Sequence, residues 1–198
     1  EIVRDVGLAA SGLLTPEIGG PSVFPPIPDG VMTLGQTKRE WATSTGPDRY
    51  RRGLYTFFFR ATPPPSLVVF DAPDNTATCT RRLRSNTPLQ ALNLLNDQSF
   101  VEFAHGLALR VLSEAPANDR DRLEHAFRLC VSRKPARDEQ RRLEQLLREE
   151  LASFATSPEE VALVASKKVP ENLDVKQVAA WTTVARVLLN LDETISRE

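Results

Sequence analysis

Apolar residues recur at helical spacing over most of the chain, and this pattern predicts an all-α domain. Residues 1–14 carry one apolar stripe, which Thr15-Pro16 and the following glycines should end. From residue 98 onward, further amphipathic segments oppose apolar and strongly charged faces, as is typical of surface helices. Their apolar positions include Phe100, Phe103, Leu107 and Val111, then Leu123, Phe127 and Cys130, then Leu143, Leu147 and Phe154, and finally Val178, Trp181, Ala185, Leu188, Leu191 and Ile195.

A capping signature marks one helix start near the middle of the chain. In Thr87-Pro88-Leu89-Gln90, the threonine hydroxyl can accept from the Gln90 amide, proline suits the first helical position, and the Gln90 side chain can reach back. We expect this helix to begin at Pro88 and to break at Asn96-Asp97, where a second helix begins.

A similar signature, Ser157-Pro158-Glu159-Glu160, predicts a short helix through Ala165. A polar connection from about Lys167 to Asp174 should join it to the last helix.

The first third of the chain is expected to be irregular. Residues 15–50, including GGPSVFPPIPDGV, predict an extended loop, because prolines remove backbone donors and glycines admit positive φ. A loop of this length is either functional or a strap over the surface. We favour a strap, with Val23, Phe24, Ile27 and Trp41 as its anchors.

Two short segments follow this loop. Asp48–Arg60 predicts a short helix whose aromatic residues belong to the core, and it should end before Pro63. The next apolar run, SLVVF, fits either a buried strand or one helical turn, since periodicity cannot decide over five residues.

These elements predict one irregular, mostly helical domain over residues 1–198, with its helical core at 87–198. The hydrophobic share of 41% and the charged share of 26% are ordinary for a globular protein. Because Glu1 already lies inside an amphipathic pattern, we expect the chain to begin within a larger protein.

Charge and cysteine content narrow the function classes. A net charge of −1 gives no overall field that would attract nucleic acid, so any anion site must be local. No apolar run in the sequence is long enough to predict a membrane span. Cys79 and Cys130 lack the spacing of a zinc ribbon or of covalent haem attachment. We expect neither a metal nor a cofactor in this chain, and both a disulfide and two buried thiols stay open.

Arginines give the first candidate site. Converging guanidinium groups beside a helix N-terminus can hold the carboxylates or sulfates of an acidic glycan. The candidates just before the Pro88 helix, and those earlier in the same segment, are Arg81, Arg82, Arg84, Arg51, Arg52 and Arg60.

The alternative for these arginines is structural. They can pair with Asp71, Asp74 and Asp97 and so fix the proline loops to the helices. Both interpretations place Arg81 and Arg82 inside an ordered network and not on a solvated face.

A polar stripe forms the second candidate site. Gln90, Asn93 and Asp97 share one face of the predicted helix, opposite a row of leucines, and Asn86 precedes them. Such a stripe can bind sugar hydroxyls, while capping and turn hydrogen bonds explain the same residues without a ligand.

The sequence evidence for catalytic residues is weaker than that for the two candidate binding sites. Asp71 and Asp74 could serve as an acid/base pair for glycoside chemistry, although capping of the Asp-Ala-Pro-Asp turn explains them more simply. His105 and His125 lack the paired spacing of a metal site. The aromatic rings of Trp41, Tyr50 and Tyr55 could stack on a sugar or pack internally. No catalytic residue is therefore assigned.

The segments RRGLYTFFFRATPPPSLVVFDAPD, CTRRLRSNTPLQALNLLND and FVEFAHGLALRVL closely resemble the planctomycete-type domain of unknown function 1553. The opening IVRDVGLAASGLL, the loop GGPSVFPPIPDGV and the closing WTTVARVLLNLDETISRE extend the resemblance over nearly the whole chain, which looks like the C-terminal part of that domain. One departure is Lys134-Pro135-Ala136-Arg137, where relatives tend to have a Pro-Thr helix start. It loses a hydroxyl cap, at a cost of about 1 kcal/mol.

The resemblance implies a large exported protein, periplasmic or at the cell surface, in which this domain follows another. A c-type cytochrome module often accompanies the family, so haem would belong to that other module. A role in polysaccharide breakdown is implied, without an established reaction.

Three functions are consistent with these observations. The first is an interaction or structural module that holds the upstream domain, or an acidic or sulfated glycan, through an arginine-rich face. The alternative is part of a carbohydrate-active enzyme site that the upstream domain completes. The third is a docking surface for electron transfer to a cytochrome.

Overall fold

The computed structural model describes residues 1–35, 38–165 and 169–196, and within them the protein is all-α, without a β-sheet. This confirms the predicted fold class. The connection predicted for Lys167 to Asp174 lies partly outside the described residues. In chain order the helices are α1 (Ile2–Ser11), α2 (Pro65–Val69), α3 (Pro88–Asn96), α4 (Gln98–Glu114), α5 (Asp119–Val131), α6 (Arg137–Thr156), α7 (Pro158–Val164), α8 (Val175–Leu189) and α9 (Asp192–Ile195).

Helices α4 and α8 form the centre of the core. They pack most extensively on each other, with α1 against α4 and α6 against α8. Phe103 and Leu107 on α4, and Val178 and Trp181 on α8, are at most 1% exposed. Burial of a side chain the size of leucine contributes roughly 1.5–3 kcal/mol. The core therefore joins the middle of the chain to its C-terminal part.

Helix α1 ends earlier than the expected stop at Thr15-Pro16. Gly12 follows the helix with φ of +74°, a left-handed conformation that glycine adopts without steric cost. The amides of Leu13 and Leu14 then both donate to the Leu8 carbonyl, each at 3.1 Å. Leu13 and Leu14, the last two apolar residues of the predicted stripe, thus lie in a turn that follows the helix.

The short helix predicted for Asp48–Arg60 is wrong. Two 3-10 turns, Gly46–Tyr50 and Gly53–Tyr55, lead instead into extended backbone. The Val23 amide donates to the Tyr55 carbonyl and the Phe57 amide donates to the Val23 carbonyl, both at 2.8 Å. Long-range pairing with the preceding loop thus replaces the local helical hydrogen bonds.

A close contact with Glu1 requires glycine at position 53. A Cβ atom at this position would lie 2.6 Å from the Glu1 Cβ, so no larger residue fits without movement. The Gly53 amide also donates to the Asp5 carboxylate at 2.6 Å. The segment is therefore held against the start of α1. Beyond it, the ambiguous SLVVF run contributes to α2, which settles that alternative as a helical turn.

The packing of the N-terminal loop agrees with a strap. Val23 is 3% exposed, and the rings of Phe24 and Trp41 meet edge to face with centroids 5.1 Å apart. The Trp41 indole donates to the Pro25 carbonyl at 2.7 Å. Because prolines supply no amide donors, these contacts remain isolated and do not extend into a sheet.

Two helix boundaries in the C-terminal half differ from expectation. Ser157 makes no side-chain cap to α7, because its amide donates to the Ser153 carbonyl and its backbone serves to end α6. The last predicted helix ends at Leu189, and Ile195 belongs to α9.

We predict that the native protein has one reactive thiol. Cys79 is exposed and Cys130 is buried, both are free, and burial raises the pKa of the Cys130 thiol to about 12. Since the thiolate is the reactive form, Ellman's reagent should modify Cys79 alone in the native protein and both cysteines after denaturation. Cys79→Ser should abolish the native reaction and Cys130→Ser should leave it unchanged. A native reaction of both thiols at similar rates would contradict the burial of Cys130.

Candidate functional site

The capping signature at the start of α3 is confirmed. The Gln90 amide donates to the Thr87 hydroxyl at 3.4 Å, and the Thr87 amide donates to the Gln90 side-chain oxygen at 3.1 Å. Pro88 occupies the first turn of the helix. The sequence therefore fixes where α3 begins and leaves its orientation to the rest of the fold.

Helix α3 buries Gln90 together with Leu94, which is 3% exposed, and turns two other leucines to the solvent. Gln90 on its polar side is 4% exposed, whereas Leu89 and Leu92 are 60% and 56% exposed. Asn93 is half-buried beside Gln90 on the same polar stripe. An amphipathic surface helix normally turns its apolar stripe inward. The polar stripe predicted for sugar binding therefore faces the protein beside Leu94, while Leu89 and Leu92 face the solvent.

Hydrogen bonds of Gln90 maintain this orientation. Its side-chain amide donates to the Val69 carbonyl at 2.9 Å and to the Ser85 hydroxyl at 3.0 Å. The Asp71 carboxylate accepts from the Ser85 amide at 2.7 Å and from the Ser85 hydroxyl at 2.8 Å. Asp71, Ser85 and Gln90 thus form a clasp, which closes the loop of residues 72–84 at its base.

The segment after the loop is tied down at two more places. The Arg82 guanidinium pairs with Glu1 at 2.5 Å, and the Asn86 side chain donates to Asp192 on α9 at 3.1 Å. Residues 82–86 are therefore attached to both ends of the chain, while Leu83 between these ties is 80% exposed.

The arginines just before α3 lie on the solvated surface. Arg81, Arg82 and Arg84 are exposed, and the Arg82 side chain is 53% accessible despite its ion pair. Among the described residues, Arg81 and Arg84 have no carboxylate within ion-pair distance. The placement of Arg81 and Arg82 inside an ordered network is thus corrected. Arg52 and Arg60 are also exposed.

The aspartates are engaged by nearer groups, which explains why they do not gather the arginines. Asp74 accepts from the Thr76 amide at 3.0 Å, and this hydrogen bonding lowers the pKa of the Asp74 carboxyl. Asp97 caps α4 by accepting from the Ser99 amide at 2.8 Å. Capping within two residues orders little additional chain, so it is favoured over distant ion pairs.

Arg51 lies in a different place and is 2% exposed. Its guanidinium donates to the carbonyls of Glu17, Gly19 and Pro21, and it lies 3.9 Å from the Tyr55 ring centre. Arg51 therefore holds the N-terminal strap. It is not part of an anion site with the other arginines.

A polar network that the sequence did not indicate joins the strap, α1 and α4. Arg49 makes a two-pronged contact with the Glu102 carboxylate, and the Tyr50 hydroxyl donates to the same carboxylate at 2.6 Å. Arg4 donates to the Arg49 carbonyl at 2.7 Å, and burial lowers the pKa of Arg4 to about 10. No local spacing relates residues from positions 4, 49 and 102, so no sequence signal indicated this network.

The aromatic side chains proposed for sugar stacking are used internally. The Tyr50 hydroxyl binds Glu102, the Tyr55 hydroxyl accepts from the Gly19 amide, and the Trp41 indole binds the strap. Over residues 1–35, 38–165 and 169–196, no group of three or more His, Cys, Asp or Glu side chains is placed to hold a metal. In the same part of the chain, no helix is long and apolar enough to cross a membrane.

The surface that remains combines cationic and apolar side chains around the start of α3. We define the docking face as Arg81, Arg82, Leu83, Arg84, Leu89 and Leu92. Fold and surface together define an all-α domain with an exposed basic and apolar face.

The chain belongs to the family described as Protein of unknown function (DUF1553), whose model matches residues 1–147. The match includes the strap, the clasp and the docking face, and it ends inside α6, although the core continues to α8. No curated protein and no solved structure matches the chain.

We predict that Arg51→Lys destabilises the fold by about 1.5–3 kcal/mol, the range for a hydrogen bond that involves a charged group. A lysine cannot span three carbonyls or stack on Tyr55 as the planar guanidinium does. Urea unfolding followed by circular dichroism measures the change. The matched control is the exposed neighbour Arg52→Lys, which should stay within about 0.5 kcal/mol of wild type. Equal stability of the two variants would refute the role given to Arg51.

We also predict that His105 makes the folding stability of the protein sensitive to acid. This side chain is 9% exposed, neither ring nitrogen has a partner among the described residues, and burial lowers its pKa, with Glu102 opposing that shift. Above about pH 6.5 the ring is neutral in both states. As the pH falls below this value, the unfolded chain binds a proton that the folded protein resists, so stability decreases until the folded pKa is passed.

Urea unfolding between about pH 5 and pH 8 tests this contribution. His105→Leu should reduce the loss of stability on acidification, whereas His125→Gln, which changes the partly exposed histidine of α5, should retain it. The same pH dependence in wild type and His105→Leu would exclude His105 as the source.

Proposed function

We propose that this domain is a protein interaction module, and that the docking face binds an acidic polypeptide surface with an apolar centre. The observation that carries the proposal is the exposure of two leucines on helix α3, in which Gln90 and Leu94 are buried while Leu89 and Leu92 are exposed. The partner domain that the family resemblance implies is our candidate for that acidic surface.

Apolar exposure supports a macromolecular partner. Leu83, Leu89 and Leu92 are each more than half exposed. Complete burial of one leucine side chain is worth roughly 1.5–3 kcal/mol, so a partner that covers all three gains affinity. Clustered exposed apolar residues on an otherwise polar surface are typical of interaction sites.

Charge supports an acidic partner. The docking face has three arginines within four residues, in a chain whose net charge is −1. Glu1 pairs with Arg82, whereas Asp71 accepts from Ser85 and Asp192 accepts from Asn86, so Arg81 and Arg84 have no ion-pair partner among the described residues. Positive charge at the rim of an interface accelerates association with an acidic surface and selects against basic ones.

The chemistry of the face favours a polypeptide over a glycan. Leucine side chains have no complementary group on a sulfated or uronic-acid sugar, and the aromatic rings suited to sugar stacking are engaged within the strap. Arginine beside exposed apolar residues is typical of protein interfaces.

Binding of synthetic polyanions tests the proposal. The probes are a random copolymer of glutamate and tyrosine, poly-L-glutamate and dextran sulfate, compared at equal concentrations of negative charge by fluorescence anisotropy. We expect the copolymer to bind at least about tenfold more tightly than poly-L-glutamate, because a factor of ten needs only about 1.4 kcal/mol of apolar contact.

Variants separate the contribution of the leucines to binding from that of the arginines. Leu83→Gln/Leu89→Gln/Leu92→Gln should remove the preference for the copolymer, and Arg81→Gln/Arg82→Gln/Arg84→Gln should weaken binding of all polyanions. The control Arg137→Gln/Arg142→Gln/Arg148→Gln changes three exposed arginines of α6 and lowers the net charge equally. Tight binding of dextran sulfate without a copolymer preference would favour an acidic glycan instead. Equal effects of the two arginine variants would exclude the docking face.

A further inference from the structure

We infer that the segment Arg81–Arg84 is a processing site for an endoprotease that cuts after arginine, and that the cleaved protein keeps its fold. This inference is independent of the docking function. It follows from the exposure, backbone hydrogen bonding and side-chain sequence of the loop that the clasp closes.

The backbone of this segment is accessible. Residues 74–86 are all exposed and contain no helix. Within the described residues, no backbone amide or carbonyl of positions 78–84 takes part in a backbone hydrogen bond. A protease binds its substrate as an extended strand that pairs with the edge of the active site, so free backbone groups are the main requirement.

The side chains match a protease with an acidic specificity pocket. Arg81 and Arg84 are exposed without an ion pair among the described residues, Arg82 is exposed but pairs with Glu1, and Leu83 is 80% exposed. An arginine that enters such a pocket forms charge-assisted hydrogen bonds with its carboxylate.

Other basic residues are poorer substrates. Arg51 and Arg4 are held by carbonyl acceptors, and the cations of α5 and α6 lie within helices that would have to unfold. Arg39 is exposed but lies over the Phe59 ring at 4.7 Å, and Arg52 precedes Gly53, which is pressed against Glu1.

Cleavage after Arg82 would add one water across the peptide bond. The carbonyl carbon of Arg82 takes the hydroxyl and becomes a carboxylate, the Leu83 nitrogen takes a proton and becomes a new amino terminus, and nothing is oxidised or reduced. The two pieces would stay together, because α1 packs on α4 and the ion pair of Arg49 with Glu102 joins them. Asp71 and Ser85 lie on opposite sides of the cut, so the hydrogen bonds of the clasp also join the two pieces.

The cut would divide the docking face, which separates Arg81 and Arg82 from Leu83 and Arg84. This consequence alone rests on the proposed function. The cleavage experiment contains no binding partner, so its failure and the failure of the docking proposal are distinguishable.

Limited digestion of the native chain with trypsin tests the inference. Mass spectrometry of early time points should place the first cut after Arg81, Arg82 or Arg84, and size-exclusion chromatography should show both pieces eluting as one species with native circular dichroism. Arg81→Gln/Arg82→Gln/Arg84→Gln should slow the first cut by more than about tenfold, because most of the remaining sites lie in helices that must unfold and the other exposed arginines lie beside packed segments.

Two controls separate local access from global unfolding. Arg52→Gln/Arg60→Gln removes two exposed arginines outside the segment and should leave the first cut unchanged. Val178→Ala removes buried core volume and should leave the rate at Arg81–Arg84 unchanged. A first cut elsewhere, a rate that rises in Val178→Ala, or separation of the pieces under native conditions would overturn the inference.

Discussion

The side-chain amide of Gln90 determines how α3 sits on the domain. It is almost completely buried, and it donates to both the Val69 carbonyl and the Ser85 hydroxyl. A buried polar group that loses its partners costs about 1–3 kcal/mol. Rolling α3 to cover Leu89 and Leu92 would break both bonds and expose the loop that Ser85 ends. The helix therefore keeps Gln90 and Leu94 inward and leaves Leu89 and Leu92 exposed.

The sequence predicted the positions of the helices better than their orientations in the fold. The signature at Thr87 located the start of α3, and the apolar spacing of α4 and α8 identified the core residues Phe103, Leu107, Val178 and Trp181. These features depend on neighbours within one or two turns, which a sequence displays directly. The orientation of α3 depends on Val69 and Ser85, which are not related to it by any helical period.

The same distinction explains the errors in the N-terminal third. Residues 48–60 have helical spacing, but Val23 pairs with them across the strap, and Gly53 admits Glu1 at a distance that a side chain would block. Arg51 belonged to the sequence-predicted anion site, and in the structure it donates to three carbonyls of the strap. Charge and spacing indicated that these residues are important, while only the fold shows which partner each one takes.

The arginines before α3 remain exposed for a physical reason. Gathering three guanidinium groups in the interior would require desolvation of like charges, and the aspartates that could offset this cost already cap nearby amides. The loop instead anchors its backbone through Ser85 and Asn86 and leaves the cations in solvent. Leu83 lies between the tie of Arg82 to Glu1 and that of Asn86 to Asp192, and it is 80% exposed. An ordered backbone with outward cationic and apolar side chains loses less conformational entropy on binding than a disordered arginine segment would. The clasp thus accounts for both properties on which an interaction surface depends, its composition and its preorganisation.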